Sequence, residues 1–276
     1  MRKVARRLVG RSYVASKQYA LLRMRRRAGN ATVVVFSMGK AGSTAIARAV
    51  EDATGARVFQ VFRLDAERLA QAERRYRAQA SAPFPGAAHL WESEYLLRHP
   101  PSGAAPWTVI TPVREPIAQA VSAYFHGRGR SGAPSPAAGV DALRDDLLAN
   151  DWVRAPVRWF DREFAPALGM DVYQTRFDPE LGHGLIETPA ARVLLVRQEN
   201  LGAAPDALGA FLGRDGPVPI GVRNEATAKD YADRYREFVG AVRFPRAVLD
   251  EAYGSRYARH FYADSEIERF RRRWAE

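Results

Sequence analysis

The chain has 276 residues, 47% of them apolar and 26% charged, enough to bury a large core and close to the upper limit for one domain. No apolar run approaches the roughly eighteen residues that a membrane-spanning helix needs, and 21 glycines with 17 prolines are too sparse and aperiodic for a fibrous or disordered chain. The absence of cysteine excludes disulfides, thiolate nucleophiles and cysteine-based zinc sites, and is compatible with a reducing compartment.

The net charge of +11 is unevenly spread: residues 1–30 hold ten Lys or Arg and no acid, whereas the other 246 carry 32 basic against 31 acidic side chains. The body is near neutral and gives no reason to expect a nucleic-acid partner. The basicity belongs to an N-terminal extension, residues 1–30, ahead of a single α/β domain over 31–276. That extension has no signal-peptide core or cleavage site. An Arg-rich, acid-free start suits a transit peptide, a solvated arm, or a peripheral contact with an anionic membrane, worth about 1 kcal/mol per basic residue near the surface.

Along the body, Thr32-Val33-Val34-Val35-Phe36-Ser37 has the β-branched run of a strand buried on both faces of a parallel sheet. A Gly-rich turn follows, then a helix over 43–54 with Ile46, Ala49 and Val50 inward and Gly55 as its stop. Residues 57–62 predict a second strand, and 65–80 a charged surface helix capped by Asp65. A third strand is expected over 88–91 and a fourth over 107–113, ending at Arg114 just before Pro116 opens another helix. The Gly-, Ser-, Pro- and Ala-rich stretch from Gly127 to Gly139 is the longest plausible loop, a place for a lid or for acceptor specificity. Helical patterns over 140–150 and 151–168, strands over 171–176 and 192–197 and a helical last third complete the chain. Strands alternating with helices predict an α/β fold of P-loop type. It has three α/β/α layers, a central, mainly parallel sheet and a helical C-terminal part.

The turn after the first strand, Ser37-Met38-Gly39-Lys40-Ala41-Gly42-Ser43-Thr44, places two glycines, a lysine and two hydroxyls at a helix start, where free N–H groups and the helix dipole favour an anion. It is not a Walker A motif: Ala41, not Ser or Thr, follows Lys40, and no glycine stands in β1 where the motif's first glycine belongs. Only four of the 42 basic residues are lysines, and just Lys40 and Lys229 lie outside the extension. In so Arg-biased a chain, a lysine in this turn suits a site that needs a compact point charge. The second signal is Thr111-Pro112-Val113-Arg114-Glu115-Pro116-Ile117, with Ser122 in the helix that follows. An arginine at the carboxyl edge of a parallel sheet lies where ligands bind in such folds.

Together these segments resemble the sulfotransferases that use 3′-phosphoadenosine 5′-phosphosulfate (PAPS). In that family a Lys-x-Gly-[Ser/Thr]-Thr loop holds the 5′-phosphosulfate and an Arg-x7-Ser pair holds the 3′-phosphate. Lys40-Ala41-Gly42-Ser43-Thr44 and Arg114 to Ser122 match in order, each after a strand. Trp159-Phe160-Asp161, Gly169-Met170-Asp171-Val172-Tyr173 and His260-Phe261-Tyr262 also look like segments of bacterial capsular polysaccharide synthesis proteins, a sulfotransferase-like group. The resemblance covers most of residues 32–274 and leaves out the extension. It departs from the pattern at Met38-Gly39, where many members carry a proline before the lysine.

The resemblance implies sulfuryl transfer from PAPS to a carbohydrate hydroxyl on a polysaccharide or glycolipid, with adenosine 3′,5′-bisphosphate (PAP) as product and no metal. Gly39, Lys40, Ala41, Gly42, Ser43 and Thr44 would hold the phosphosulfate and Arg114 with Ser122 the 3′-phosphate, while Arg197, Lys229 and Asn224 are weaker nucleotide candidates. Lys40 would stabilise the leaving phosphate. His89 resembles the histidine that follows the third strand in sulfotransferases of uronic-acid polysaccharides and suits a general base; Glu92 is its rival and Asp65 a distant third. The expected location is cytoplasmic, with possible contact at the inner face of the membrane through residues 1–30. The alternatives are another P-loop-like phosphoryl transferase and a non-catalytic binder of anionic polymers.

Overall fold

The computed structural model describes residues 12–26, 32–79, 87–100, 106–127, 138–221 and 232–276. Asn224, Lys229, most of the 127–139 stretch and about half of the basic extension lie outside the described residues. The elements are α1 (Tyr13–Arg26), β1 (Thr32–Phe36), α2 (Ser43–Thr54), β2 (Arg57–Val61), α3 (Ala66–Gln79), α4 (Ala88–Arg98), β3 (Trp107–Val113), α5 (Pro116–Gly127), α6 (Val140–Ala149) and α7 (Arg154–Trp159). A π-helical turn (Phe160–Phe164) leads to α8 (Ala165–Leu168), β4 (His183–Glu187), β5 (Ala191–Arg197), α9 (Pro205–Phe211), α10 (Ala232–Ala241), α11 (Arg246–Tyr253), α12 (Arg256–Phe261) and α13 (Asp264–Trp274).

The five strands form one sheet in the order β2-β1-β3-β5-β4. All neighbours are parallel except β4, which runs antiparallel to β5. Because side chains alternate across a strand, the apolar run of β1 feeds two cores. Val33 and Val35 join Ile110, Leu194 and Val196 under α2 and α9. Val34 and Phe36 join Val109, Val113, Val193 and Leu195 under α5, the π turn and the C-terminal helices. Full burial of such a side chain contributes about 2 kcal/mol, so both faces of the sheet are strongly specified. The result is the predicted three-layer α/β arrangement with its helical C-terminal part. Gly55, at φ 61°, stops α2 by donating to Glu51 O, and Asp65 caps α3 by accepting from Arg68 N.

Two expectations are corrected, and one strand is added. Residues 88–91 are the first turn of helix α4, not a strand. Leu90, Trp91, Ser93, Tyr95 and Leu96 are buried along it, and the run contains no β-branched residue. Residues 171–176 form a short 3₁₀ turn at Val172–Gln174, opened by Asp171, whose carboxylate accepts from Tyr173 N. The antiparallel edge strand β4 was not anticipated, because His183-Gly184 opens it and only Ile186 is buried.

Over Tyr13–Arg26 the basic extension is a helix docked on the body, not a free arm. On α1, Tyr13 packs against Trp91, accepts from its Nε1 and donates to Glu73. Lys17 bridges Glu73 at 2.8 Å and Glu94 at 2.5 Å, tying α1 to both α3 and α4. Val14, Tyr19 and Leu22 remain exposed. Among the described residues no helix is long and apolar enough to cross a membrane.

Candidate functional site

The turn between β1 and α2 is held in a conformation that needs its glycines. Gly39 has φ 79° and Gly42 φ 91°, and a Cβ on Gly42 would meet Leu201 Cδ1 at 2.9 Å. Lys40 also has positive φ, 56°, which costs a non-glycine residue about 1 kcal/mol. Contacts from β3 and α5 hold it there. Arg114 Nη1 donates to Lys40 O at 2.9 Å, and Gln119 Nε2 donates to Gly39 O at 3.0 Å. Two carbonyls of the turn are thereby taken by donors. At the start of α2 the first N–H that finds a backbone acceptor is that of Ala45, bonded to Gly42 O. The N–H groups of Ala41, Gly42, Ser43 and Thr44 have no acceptor among the described residues. Fixed donors at a helix N-terminus, next to a lysine, are the groups that an anion would require.

Arg114 is fixed through its backbone. The Tyr257 hydroxyl, on α12, accepts from Arg114 N at 3.0 Å and donates to Arg114 O at 2.7 Å. The next residue, Glu115, is buried, and its carboxylate caps α5 by accepting from Ile117 N and Ala118 N. It also accepts from the Tyr253 hydroxyl at 2.6 Å and Trp274 Nε1 at 3.2 Å. Burial pushes the Glu115 carboxyl above its usual range, opposed by these donors. The C-terminal helices thus clamp the segment that carries Arg114, whose guanidinium is half-buried and bonded only to Lys40 O among the described residues.

The other side of the turn is supplied by β2 and α4. Gln60 is a polar residue in an otherwise apolar strand stretch, Val58 to Val61. Its Nε2 donates to Ser43 Oγ at 2.9 Å and Thr44 Oγ1 at 3.1 Å. Its backbone N donates to Glu92 Oε2 at 2.7 Å. Burial pushes the Glu92 carboxyl up to about 7, against the lowering effects of the Gln60 N–H and nearby Arg57. His89, in the first turn of α4, packs on the Phe62 ring at 4.7 Å between centroids. That same ring lies 3.7 Å from where a Cβ on Gly39 would stand. His89 and Glu92 are therefore both brought to the β1–α2 turn, through Phe62 and Gln60 respectively.

The remaining candidates fare differently. Ser122 is buried on α5. Arg197 is 2% exposed and consumed internally. It pairs bidentately with Glu266 at 2.9 and 2.5 Å, donates to Pro179 O at 2.6 Å and stacks on Tyr262. The structure thus gives Arg197 the part of a strut between β5 and α13 rather than that of a nucleotide contact. Asp65 is occupied as the α3 cap. Among the described residues no group of three His, Asp or Glu could hold a metal ion. Gln60, Glu115, Gln119 and Tyr257 were missed from the sequence. Gln60 alone carried a signal, as the polar break in its strand.

A family model described as "Putative capsular polysaccharide synthesis protein" matches residues 141–263. This stretch contains the three segments that resemble capsular synthesis proteins, and it begins after the β1–α2 turn, His89 and Arg114. No curated protein and no solved structure matches the chain. The similarity to the capsular polysaccharide group is thus carried by the part of the chain that includes β4, β5 and the Tyr257 clamp on Arg114.

Proposed function

We propose that this protein moves a sulfuryl group from PAPS to a carbohydrate hydroxyl, on a polysaccharide or a glycolipid. The observation that carries this reading is the bond from Arg114 to Lys40 O, which joins two motifs 74 residues apart in one site. The N–H groups from Ala41 to Thr44, unpaired among the described residues, with Gly39 and Gly42 allowing close approach, fit a donor-bound oxyanion. Arg114, with most of its guanidinium donors uncommitted among the described residues, fits the 3′-phosphate, and the similarity to capsular polysaccharide synthesis proteins fits a sugar acceptor.

When bound, the donor supplies an activated sulfuryl group on a phosphate leaving group; the bond from sulfur to that phosphate breaks as one to the acceptor oxygen forms. Lys40 neutralises the charge left on the phosphate oxygen, and the helix-start N–H groups share it by preorganised electrostatics. His89 accepts the proton of the acceptor hydroxyl. Glu92, with its carboxyl near neutrality, is the second base candidate, but it is already committed to Gln60 N. The basic extension supports a peripheral contact with an anionic membrane at the cytoplasmic face.

Formation of PAP from PAPS in the presence of an unsulfated uronic-acid polysaccharide, with label recovered in the polymer, tests this reading. His89→Ala should abolish transfer while leaving PAP binding intact; full activity in that variant would remove His89 from the mechanism, and absence of transfer by the wild type to any polysaccharide or glycolipid offered would remove the activity.

A further inference from the structure

Gln60 occupies a position that no motif of the chain announces. Its single carboxamide nitrogen reaches both hydroxyls at the start of α2, Ser43 Oγ at 2.9 Å and Thr44 Oγ1 at 3.1 Å. An amide NH2 group has two protons and no lone pair to offer, so each hydroxyl oxygen must accept from it. A hydroxyl that accepts in this way keeps its own proton for another partner. Two nearby acceptors in the turn are already engaged, since Gly39 O is taken by Gln119 and Lys40 O by Arg114. The Ser43 and Thr44 protons are left to serve whatever anion lies against the helix start. The backbone of Gln60 is itself fixed: in β2 it lies opposite Val35 of the neighbouring β1, and its N–H is taken by Glu92.

We propose that Gln60 is a positioning residue that turns the Ser43 and Thr44 hydroxyls into obligate donors, so that the site selects a fully ionised oxyanion. A group that carries its own proton, such as a singly ionised phosphate, would find donors facing its O–H and be disfavoured, whereas a sulfate ester or a doubly ionised phosphate presents only acceptors. This rests on the donor-site reading above and adds to it the residue that sets hydroxyl polarity. Gln60 touches no substrate; it acts through two side chains that would.

The test is a double-mutant cycle on binding of PAP by calorimetry, with thermal unfolding as a check on folding. Gln60→Leu should weaken binding about 10-fold, the size of one or two charge-assisted hydrogen bonds. Gln60→Glu should weaken it about 100-fold, because a carboxylate accepts from both hydroxyls and turns their protons away from the ligand. In a Ser43→Ala/Thr44→Val background, Gln60→Leu should change affinity less than about 2-fold, since the groups it orients are gone. Additive losses, with wild-type binding intact and all variants folded, would overturn the inference and leave the donor site standing. Failure of the wild type to bind PAP would overturn both together.

Discussion

Two arginines stand at the carboxyl edge of the same sheet, one just past the end of β3 and the other closing β5, on paired strands. Arg197 is 2% exposed and surrounded by a carboxylate, a carbonyl and an aromatic ring. Arg114 is half-buried, fixed by a tyrosine through its backbone, and spends one guanidinium bond on Lys40 O. The same side chain at neighbouring strand ends, with Arg114 one residue past the partner of Arg197, is a strut in one case and an available charge in the other. What decides is the acid opposite: α13 brings Glu266 to Arg197, whereas the acid next to Arg114, Glu115, is turned inward to cap α5. Charge at a strand end is therefore informative only once its partners are known.

The comparison can be broken most decisively at the turn. Lys40→Ala should lower the transfer rate about 1,000-fold, the scale of losing one preorganised charge at a developing anion, with little change in the unfolding midpoint. An equal loss of rate in Arg197→Met, without loss of stability, would reverse the roles assigned here. Arg197→Met should instead leave Glu266 without its cation and destabilise the protein by about 3 kcal/mol in denaturant unfolding. Arg114→Met should cost less, about 1 kcal/mol, the size of the single hydrogen bond to Lys40 O that it breaks.

A smaller effect sharpens the β2 side of the site. Glu92 titrates near 4.5 when unperturbed and near 7 in the folded protein, so the native chain binds the extra proton between these values. Its contribution to stability is therefore present at pH 4.5 and lost as pH rises through 7, amounting to about 3 kcal/mol. Glu92→Gln should flatten this decline, measured by urea unfolding from pH 4.5 to 8. An unchanged slope would mean that Glu92 is ionised throughout. Smaller still, Gly42→Ala should cost about 1–2 kcal/mol from its left-handed backbone alone, read from thermal unfolding.

The strand, turn and helix around Lys40 were legible because β-branched apolar residues, glycines and a stop at Gly55 act locally. The order of Arg114 and Pro116 was legible for the same reason. What escaped is non-local. Gln60 to Ser43, Gln119 to Gly39 and Tyr257 to Arg114 join residues 17, 80 and 143 positions apart, and no window of sequence contains both partners. Residues 88–91 read as a strand because they are only the first turn of helix α4, and the buried Tyr95 and Leu96 that continue its face lie further along the chain. Arg197 shows the complementary failure, a residue in the expected place whose partner, Glu266, arrives from the last helix.

The most direct test of the central claim is calorimetric titration with PAP, beside ATP and AMP, on the wild type and on Arg114→Ala. The account predicts selective binding of the bisphosphate in the micromolar range, about −8 kcal/mol, lost in the variant. Equal binding of ATP, or no binding of the bisphosphate, would contradict it.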